Sequence, residues 1–350
     1  MSATAPTHDD TKQTKDPQQA EPAGSAVRRP STHSLLGIAE RYALLAIFVA
    51  IFLFFLLNPA SANFGNSANI NTVLRGQTAV AMIAIAAVFP LVAGNMDFSL
   101  GATAATSSVI SAGLMANHGQ PLVVCVLASI AFGALVGLFN GVMVTRFHLD
   151  SFVTTLGVST LLAGVIQWYT HGQTIYQGIS STLTDFSYTK VLGIPGVTVV
   201  VLAVVVIAWF VLAQTPFGRS LYAIGSNPTS ARLVGLRVQR NVMLTFVVSG
   251  TIAGAAGLLR LAVIGSATSD SGTSLLFPAL AAVFLGAAAI KPGFFNVLGT
   301  VIGVLFVAFT VNGLTLSGVD SAVQNVFNGA ALLIAVGLST YLGMRRRARG

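Results

Sequence analysis

Residues 122–145 read LVVCVLASIAFGALVGLFNGVMVT, 24 residues without a single charge. As an α-helix this stretch is about 36 Å long, enough to cross a hydrocarbon core of about 30 Å. No charged face interrupts it, so it predicts a helix whose solvent is lipid, with its backbone groups paired internally. Gly133, Gly137 and Gly141 recur at four-residue spacing. Such spacing lets a second backbone approach closely where no hydrophobic force drives helices together.

Working outward, nine further apolar blocks occupy about 42–57, 72–93, 100–116, 152–169, 197–213, 242–264, 275–290, 294–312 and 322–342. The chain is 54% hydrophobic and 8% charged, against about 25% charged in a soluble domain. The fold class that follows is an all-α integral membrane protein with about ten transmembrane helices. Gly250 and Gly254, then Gly299 and Gly303, repeat the small-residue spacing and point to a compact bundle. The block after Gly94 has two readings, a full crossing or a re-entrant segment. The first block is followed by Ala60-Ser61-Ala62, which resembles a signal-peptidase site. It is read as a retained span because about 40 residues precede it, too many for an ordinary signal.

Ten crossings put both termini on one side, and the basic residues choose the side. With the termini in the cytoplasm, the inner segments carry Lys12, Lys15, Arg28, Arg29, Arg41, Arg146, Arg219, Arg232, Arg237, Arg240, Lys291, Arg345, Arg346, Arg347 and Arg349, 15 of the 18. Arg75, Lys190 and Arg260 remain for the outer side or the membrane. The net charge of +8 therefore orients the protein and is no sign of nucleic-acid binding. The single cysteine, Cys125, sits in an apolar run, forms no internal disulfide and packs as a small hydrophobe.

Residues 1–40 form a polar tail expected to be disordered and cytoplasmic, 41–342 a transmembrane domain, and 343–350 a basic cytoplasmic tail. Two loops are long. The outer one, 170–196, is placed to cover the outer mouth. The inner one, 214–241, holds Asn227-Pro228-Thr229-Ser230-Ala231-Arg232-Leu233-Val234-Gly235. There Asn227 is an N-cap, Pro228 fits the first helical position and Gly235 supplies the stop, so a short helix of about two turns is predicted. Two roles are open to it: lying against the headgroups, or docking Leu233, Val234 and Leu236 into a partner's groove.

The chain has no GxxxxGK[ST] loop, HExxH, paired cysteines or GxSxG. No catalytic residue, metal site or bound cofactor is expected, and energy for transport must come from another chain. Ion coupling would need ionisable groups inside the spans. Of the ten acidic residues only Asp97 is placed for that; Asp9, Asp10, Asp16, Glu21 and Glu40 precede the first span, and Asp150, Asp185, Asp270 and Asp320 fall in connections. Asp97 has two readings, a cap for the helix that follows or a group on the transport path. A path for a neutral hydroxylated solute would draw on Gln77, Asn95, Asp97, Ser99, Thr103, Asn140, Thr154, Thr155, Gln167 and Asn312. Any one of these polar groups also has the alternative of bonding its own or a neighbouring helix.

Several strings resemble the permease subunits of the ribose-type branch of ATP-binding-cassette importers. Gly94-Asn95-Met96-Asp97-Phe98-Ser99-Leu100-Gly101 is similar to that family's Gly-Gly-Ile-Asp-Leu-Ser-Val-Gly. Asn140-Gly141 and Phe152-Val153-Thr154-Thr155-Leu156-Gly157 resemble its Asn-Gly and Phe-Ile-Ala-Thr-Leu-Gly pair, and Phe217 to Gly235 follows its inner-loop run in order and spacing. Gly299-Thr300-Val301-Ile302-Gly303 and Asn312-Gly313-Leu314 complete the set. Asn95 stands for a usual glycine, Asp150-Ser151 for proline or apolar residues, and Lys291-Pro292-Gly293-Phe294-Phe295 for a glycine-rich stretch.

The resemblance implies a permease in the bacterial cytoplasmic (inner) membrane that moves a sugar or related solute inward. It implies cytoplasmic ATP-binding subunits using ATP and Mg, a second permease copy and an external solute-binding protein. It implies also that Asn227, Pro228, Ala231, Arg232, Leu233 and Gly235 form the coupling helix. The competing class is a secondary transporter or channel for a small polar solute, which would need no ATPase.

Overall fold

The computed structural model describes residues 35–268 and 272–347. In chain order the helices are α1 (Leu35–Leu57), α2 (Ser67–Gly76), α3 (Thr78–Val92), α4 (Leu100–His118), α5 (Leu122–Arg146) and α6 (Ser151–Thr170). A strap follows, made of α7 (Ser181–Tyr188) and a minimal antiparallel hairpin, β1 (Lys190–Val191) with β2 (Ile194–Pro195). Then come α8 (Gly196–Gln214), α9 (Pro216–Ser226), α10 (Pro228–Leu233), α11 (Val238–Ile264), α12 (Thr273–Gly286), α13 (Val297–Leu316) and α14 (Ser321–Arg347). The protein is an all-α membrane protein. Among the described residues five helices, α5, α6, α8, α11 and α13, are long and apolar enough to cross a membrane, and α2 with α3 makes a sixth if the bent pair is one span.

The tail expected at 1–40 lies outside the described residues up to 34, but residues 35–40 already belong to α1, whose Leu35, Leu36 and Ile38 continue the helix-forming run backward. At the other end α14 continues through Arg347, so the basic segment begins as helix.

Two apolar blocks are not single straight helices. Block 72–93 bends by 48° between α2 and α3. Gly76 weakens the helix there, and the Thr78 hydroxyl takes the Arg75 carbonyl at 2.9 Å in place of a helical amide. Block 275–290 yields only the 14 residues of α12, about 21 Å of helix and short of the full crossing expected. The block looked longer because Ala287, Ala288 and Ala289 are apolar, yet these residues are buried in the bundle and turn through Ile290 at φ 61°. Irregular backbone is tolerated at that depth because protein surrounds it.

At the other end of α12, Gly265 (φ 74°) stops α11, and the chain pairs Ala267 with Ile175 of the outer loop at 2.9 Å in both directions. Gly272, just before α12, meets Gly101 in the first turn of α4. So α12 starts against the beginning of α4, inside the bundle.

The core centres on α4, which is buried over most of its length, including Thr103, Thr106, Ser107, Ser108 and Ser111. Polar side chains face inward here because the outer solvent is apolar. The Ser107 hydroxyl donates to the Gly254 carbonyl at 2.8 Å, and Ser111 and Ser129 bond hydroxyl to hydroxyl. Cys125 is fully buried.

Beside α4, α5 and α11 run backbone against backbone. A Cβ on Gly137 would enter the Phe246 carbonyl, one on Gly250 the Gly133 carbonyl, and one on Gly254 the Ser129 carbonyl. Gly286, Gly299 and Gly303 do the same between α12 and α13. Arg75 stacks 3.9 Å from the centre of the Tyr188 ring and ties α2 to the strap.

The α5–α11 seam makes a direct prediction. Gly137→Ala should lower thermal stability by about 1–3 kcal/mol, because a helix backbone cannot move aside for the methyl. Gly157→Ala on the open face of α6, where nothing lies within 4 Å of the added carbon, should leave the unfolding temperature unchanged or raise it. Thermal melts of the two purified variants check this.

Candidate functional site

Helix α3 ends where Pro90 sits in its last turn and Gly94 adopts φ 84°, a conformation glycine takes without strain. The amides of Ala93 and Asn95 both fold back on the Pro90 carbonyl, at 3.1 and 2.9 Å. From there residues 95–99 cross to the start of α4 without helical bonds, and each freed amide needs a partner from elsewhere. Met96 N donates to Ser151 Oγ at 3.2 Å, Phe98 N to Thr155 Oγ1 at 2.9 Å, and Ser99 N to Asp97 Oδ1 at 3.0 Å. The two α6 hydroxyls thus replace the helix ladder.

Asp97 is the hub. It is 4% exposed, and its Oδ1 also accepts from Ser99 Oγ at 2.6 Å. Its Oδ2 accepts from Ser249 Oγ of α11 at 3.3 Å, while Asn140 Nδ2 of α5 donates to Ser99 Oγ at 2.8 Å. The carboxylate therefore holds the turn opening α4, two residues before the helix boundary, and reaches a third helix as well. Two acceptors beside it are unused: Asn140 Oδ1 and Thr103 Oγ1, both fully buried, have no hydrogen-bond partner.

The structure thus brings Asp97, Ser99, Asn140 and Thr155 together, with Thr103 one turn along α4. The other polar residues singled out from sequence lie apart. Gln77 is the residue at the α2–α3 bend and lines a narrow, mainly apolar cavity with Leu74, Val201 and Val304. Thr154 Oγ1 returns to its own helix at the Asp150 carbonyl, 2.8 Å away. Asn312 exchanges two bonds with Asn69, at 2.8 and 3.1 Å, and ties α13 to α2. Gln167 is on the exposed face of α6.

Ser249 and Ser151 were not singled out. The only signal for Ser249 was its place beside Gly250 on the small-residue face of α11. Asp150, whose side chain caps α6 through Val153 N at 3.1 Å, fixes the turn that delivers Ser151.

Below the break, Asn95 lines a cavity of about 310 Å³ with Gly94, Thr145, His148, Gly225, Pro228, Arg232 and Gln239. Its floor is α9 and α10. Asn227 Oδ1 accepts from Ser230 N at 3.0 Å, Pro228 opens α10, and Gly235 ends it at φ 84° with Leu236 N bonded to the Ala231 carbonyl. The predicted short helix is present. Ala231 packs inward, whereas Leu233 and Val234 are 84% and 77% exposed. Tyr222 of α9 donates to the Phe295 carbonyl at 2.9 Å and fastens this floor to the segment after α12.

No solved structure matches this chain closely. Residues 69–336 match the family described as the branched-chain amino acid transport system / permease component. A ribose import permease protein of Haemophilus influenzae is 31% identical over 312 residues, covering 88% of this chain and 95% of that protein. One from Bacillus subtilis is 34% identical, covering 83% and 90%. An autoinducer 2 import system permease protein of Escherichia coli is 32% identical, covering 73% and 79%. With its helical membrane bundle, its non-helical link between α3 and α4 and its capped helix α10, the chain belongs to the branched-chain amino acid transport system / permease component family, and is a permease subunit of an ATP-binding-cassette importer, a translocation component and not an enzyme.

Proposed function

We propose that this permease carries a sugar or a closely related hydroxylated solute inward across a bacterial inner membrane, driven by ATP hydrolysed in partner subunits. Relatives named for ribose and for autoinducer 2 support the solute class. The observation that carries the coupling is the tip of α10. Leu233 and Val234 stand almost fully exposed beside Arg232, at the end of a helix fixed by its caps. A bare apolar pair on a rigid polar mount is the form of a docking element. Asn227, Pro228, Ala231, Arg232, Leu233 and Gly235 are assigned to coupling with cytoplasmic ATP-binding subunits, which bind ATP and Mg; this chain binds neither.

The ten apolar blocks are assigned as ten crossings, the short α12 counting as one together with its continuation to Ala289, with both termini cytoplasmic and the strap of α7 outside, where a solute-binding protein delivers its cargo. A second permease copy completes the pathway. Around the break, Asn95, Asp97, Ser99, Thr103, Asn140 and Thr155 form the inner constriction, where the unused oxygens of Asn140 and Thr103 match solute hydroxyls. Gln77 and Asn312 are assigned to the outer part of the same path, and Thr154 to the inner part beside Thr155. Rigid-body movement of packed helices opens one side and then the other.

Two experiments test this. In proteoliposomes holding the permease, its ATPase and its binding protein, Arg232→Ala and Gly235→Val should each cut solute uptake at least tenfold while membrane insertion and ATP hydrolysis persist. Valine at Gly235 forces a β-branched residue into a left-handed conformation. Normal uptake by both variants would remove the coupling role. For topology, Cys125→Ser supplies a thiol-free background. Lys190→Cys should then react with an impermeant thiol reagent on intact cells, and Arg219→Cys only after permeabilisation.

A further inference from the structure

The segment 94–99 is held from two directions. From below, α9 presses on it: a Cβ on Gly225 would enter the Val92 carbonyl, and one on Gly94 would lie 3.8 Å from the Gly225 Cα. From the side, two donors reach it, Ser249 of α11 onto Asp97 and Asn140 of α5 onto Ser99. Those donors sit on helices joined backbone to backbone along Gly133, Gly137, Gly250 and Gly254, so α5 and α11 move as one body.

That body is wired to α10. The link from α10 to α11 is only residues 234–237, and it is internally bonded: Leu236 N to the Ala231 carbonyl at 3.0 Å and Val238 N to the Leu236 carbonyl at 2.9 Å. A push on α10 enters α11 at Val238 and reaches Ser249 about 16 Å along a continuous helix.

Ser249 has one hydroxyl hydrogen and two acceptors for it, Asp97 Oδ2 at 3.3 Å and the Phe246 carbonyl of its own helix at 3.0 Å. A small shift of α11 decides between them. The hydrogen goes to Asp97, and the segment is tied to α11, or to Phe246, and that tie is broken while Ser151, Thr155 and Asn140 still hold the segment. Such an element has two discrete arrangements that a distant site can bias.

We propose that residues 94–99 relay the movement of α10 into the bundle, and that Ser249 is the positioning residue that catches and releases this relay through Asp97. The proposal rests on the ATP-driven reading above. It assigns a role to a serine that makes no part of the docking tip.

The test uses the full importer in proteoliposomes with ribose as the probe solute, recording uptake and ATP hydrolysis together. Ser249→Ala should lower the solute moved per ATP about tenfold, the loss expected for one charge-assisted hydrogen bond, with ATP turnover within twofold of the parent. Ser249→Thr, which keeps the hydroxyl, should restore the ratio. Combining Ser249→Ala with Asp97→Asn should add nothing to the larger single effect.

An unchanged ratio in Ser249→Ala, beside an active parent, overturns the relay and leaves the importer standing. So does a parallel fall of uptake and hydrolysis with a lowered melting temperature, which marks a packing role only. A parent that hydrolyses ATP without moving either ribose or any sugar of a panel overturns the importer reading, and the relay with it.

Discussion

Lipid offers no hydrogen bonds, so each backbone amide released from a helix inside the bilayer must find a partner in the protein. The architecture follows from that constraint. Where α3 stops short of α4, the amides of Met96, Phe98 and Ser99 leave the helical ladder, and oxygens of Ser151, Thr155 and Asp97 take them. Those oxygens come from a neighbouring helix and from the segment itself. The break can exist only while α6 stays in place. A discontinuity that would otherwise be unaffordable becomes a point where helices are tied by polar bonds instead of by apolar packing. Such ties have preferred directions, and the contacts of lipid-like side chains do not.

What was legible in the sequence was local. The cap of α10 was readable because Asn227, Pro228 and Gly235 act on neighbours within eight residues, and the same bonds appear in the structure. The apolar blocks were readable as helices, and the small-residue spacing pointed to a compact bundle, while which helices those glycines join, α5 with α11 and α12 with α13, was not readable. Hydropathy could not show where α12 ends. An alanine run buried against protein has the same composition as one buried against lipid, and only the protein-facing one can leave the helix. The network at Asp97 was hidden for a different reason. Its partners lie 41 residues away from Ser99 at Asn140 and 152 residues from Asp97 at Ser249. Nothing in a serine's immediate sequence says which helix its hydroxyl will meet.

The close seams and the polar break divide the bundle into parts of different stiffness. Along Gly133, Gly137, Gly250 and Gly254 no atom has room to yield, so those two helices share any displacement. At residues 94–99 the chain is secured by hydrogen bonds that can be exchanged one for another at small cost. Movement in a packed protein concentrates where interactions have an alternative, because close-packed interfaces do not deform continuously. A machine that must open on one face while staying sealed on the other needs both kinds of contact.

The exposed tip of α10 has a consequence for the life of the polypeptide before assembly. If α10 docks to a partner as proposed, Leu233 and Val234, bare in the single chain, stay uncovered on each newly made copy until that partner binds. Chaperones and quality-control proteases survey surfaces of that kind. On that reading the same tip would mark orphan copies, and would tie the steady-state amount of this subunit to the supply of whatever covers it.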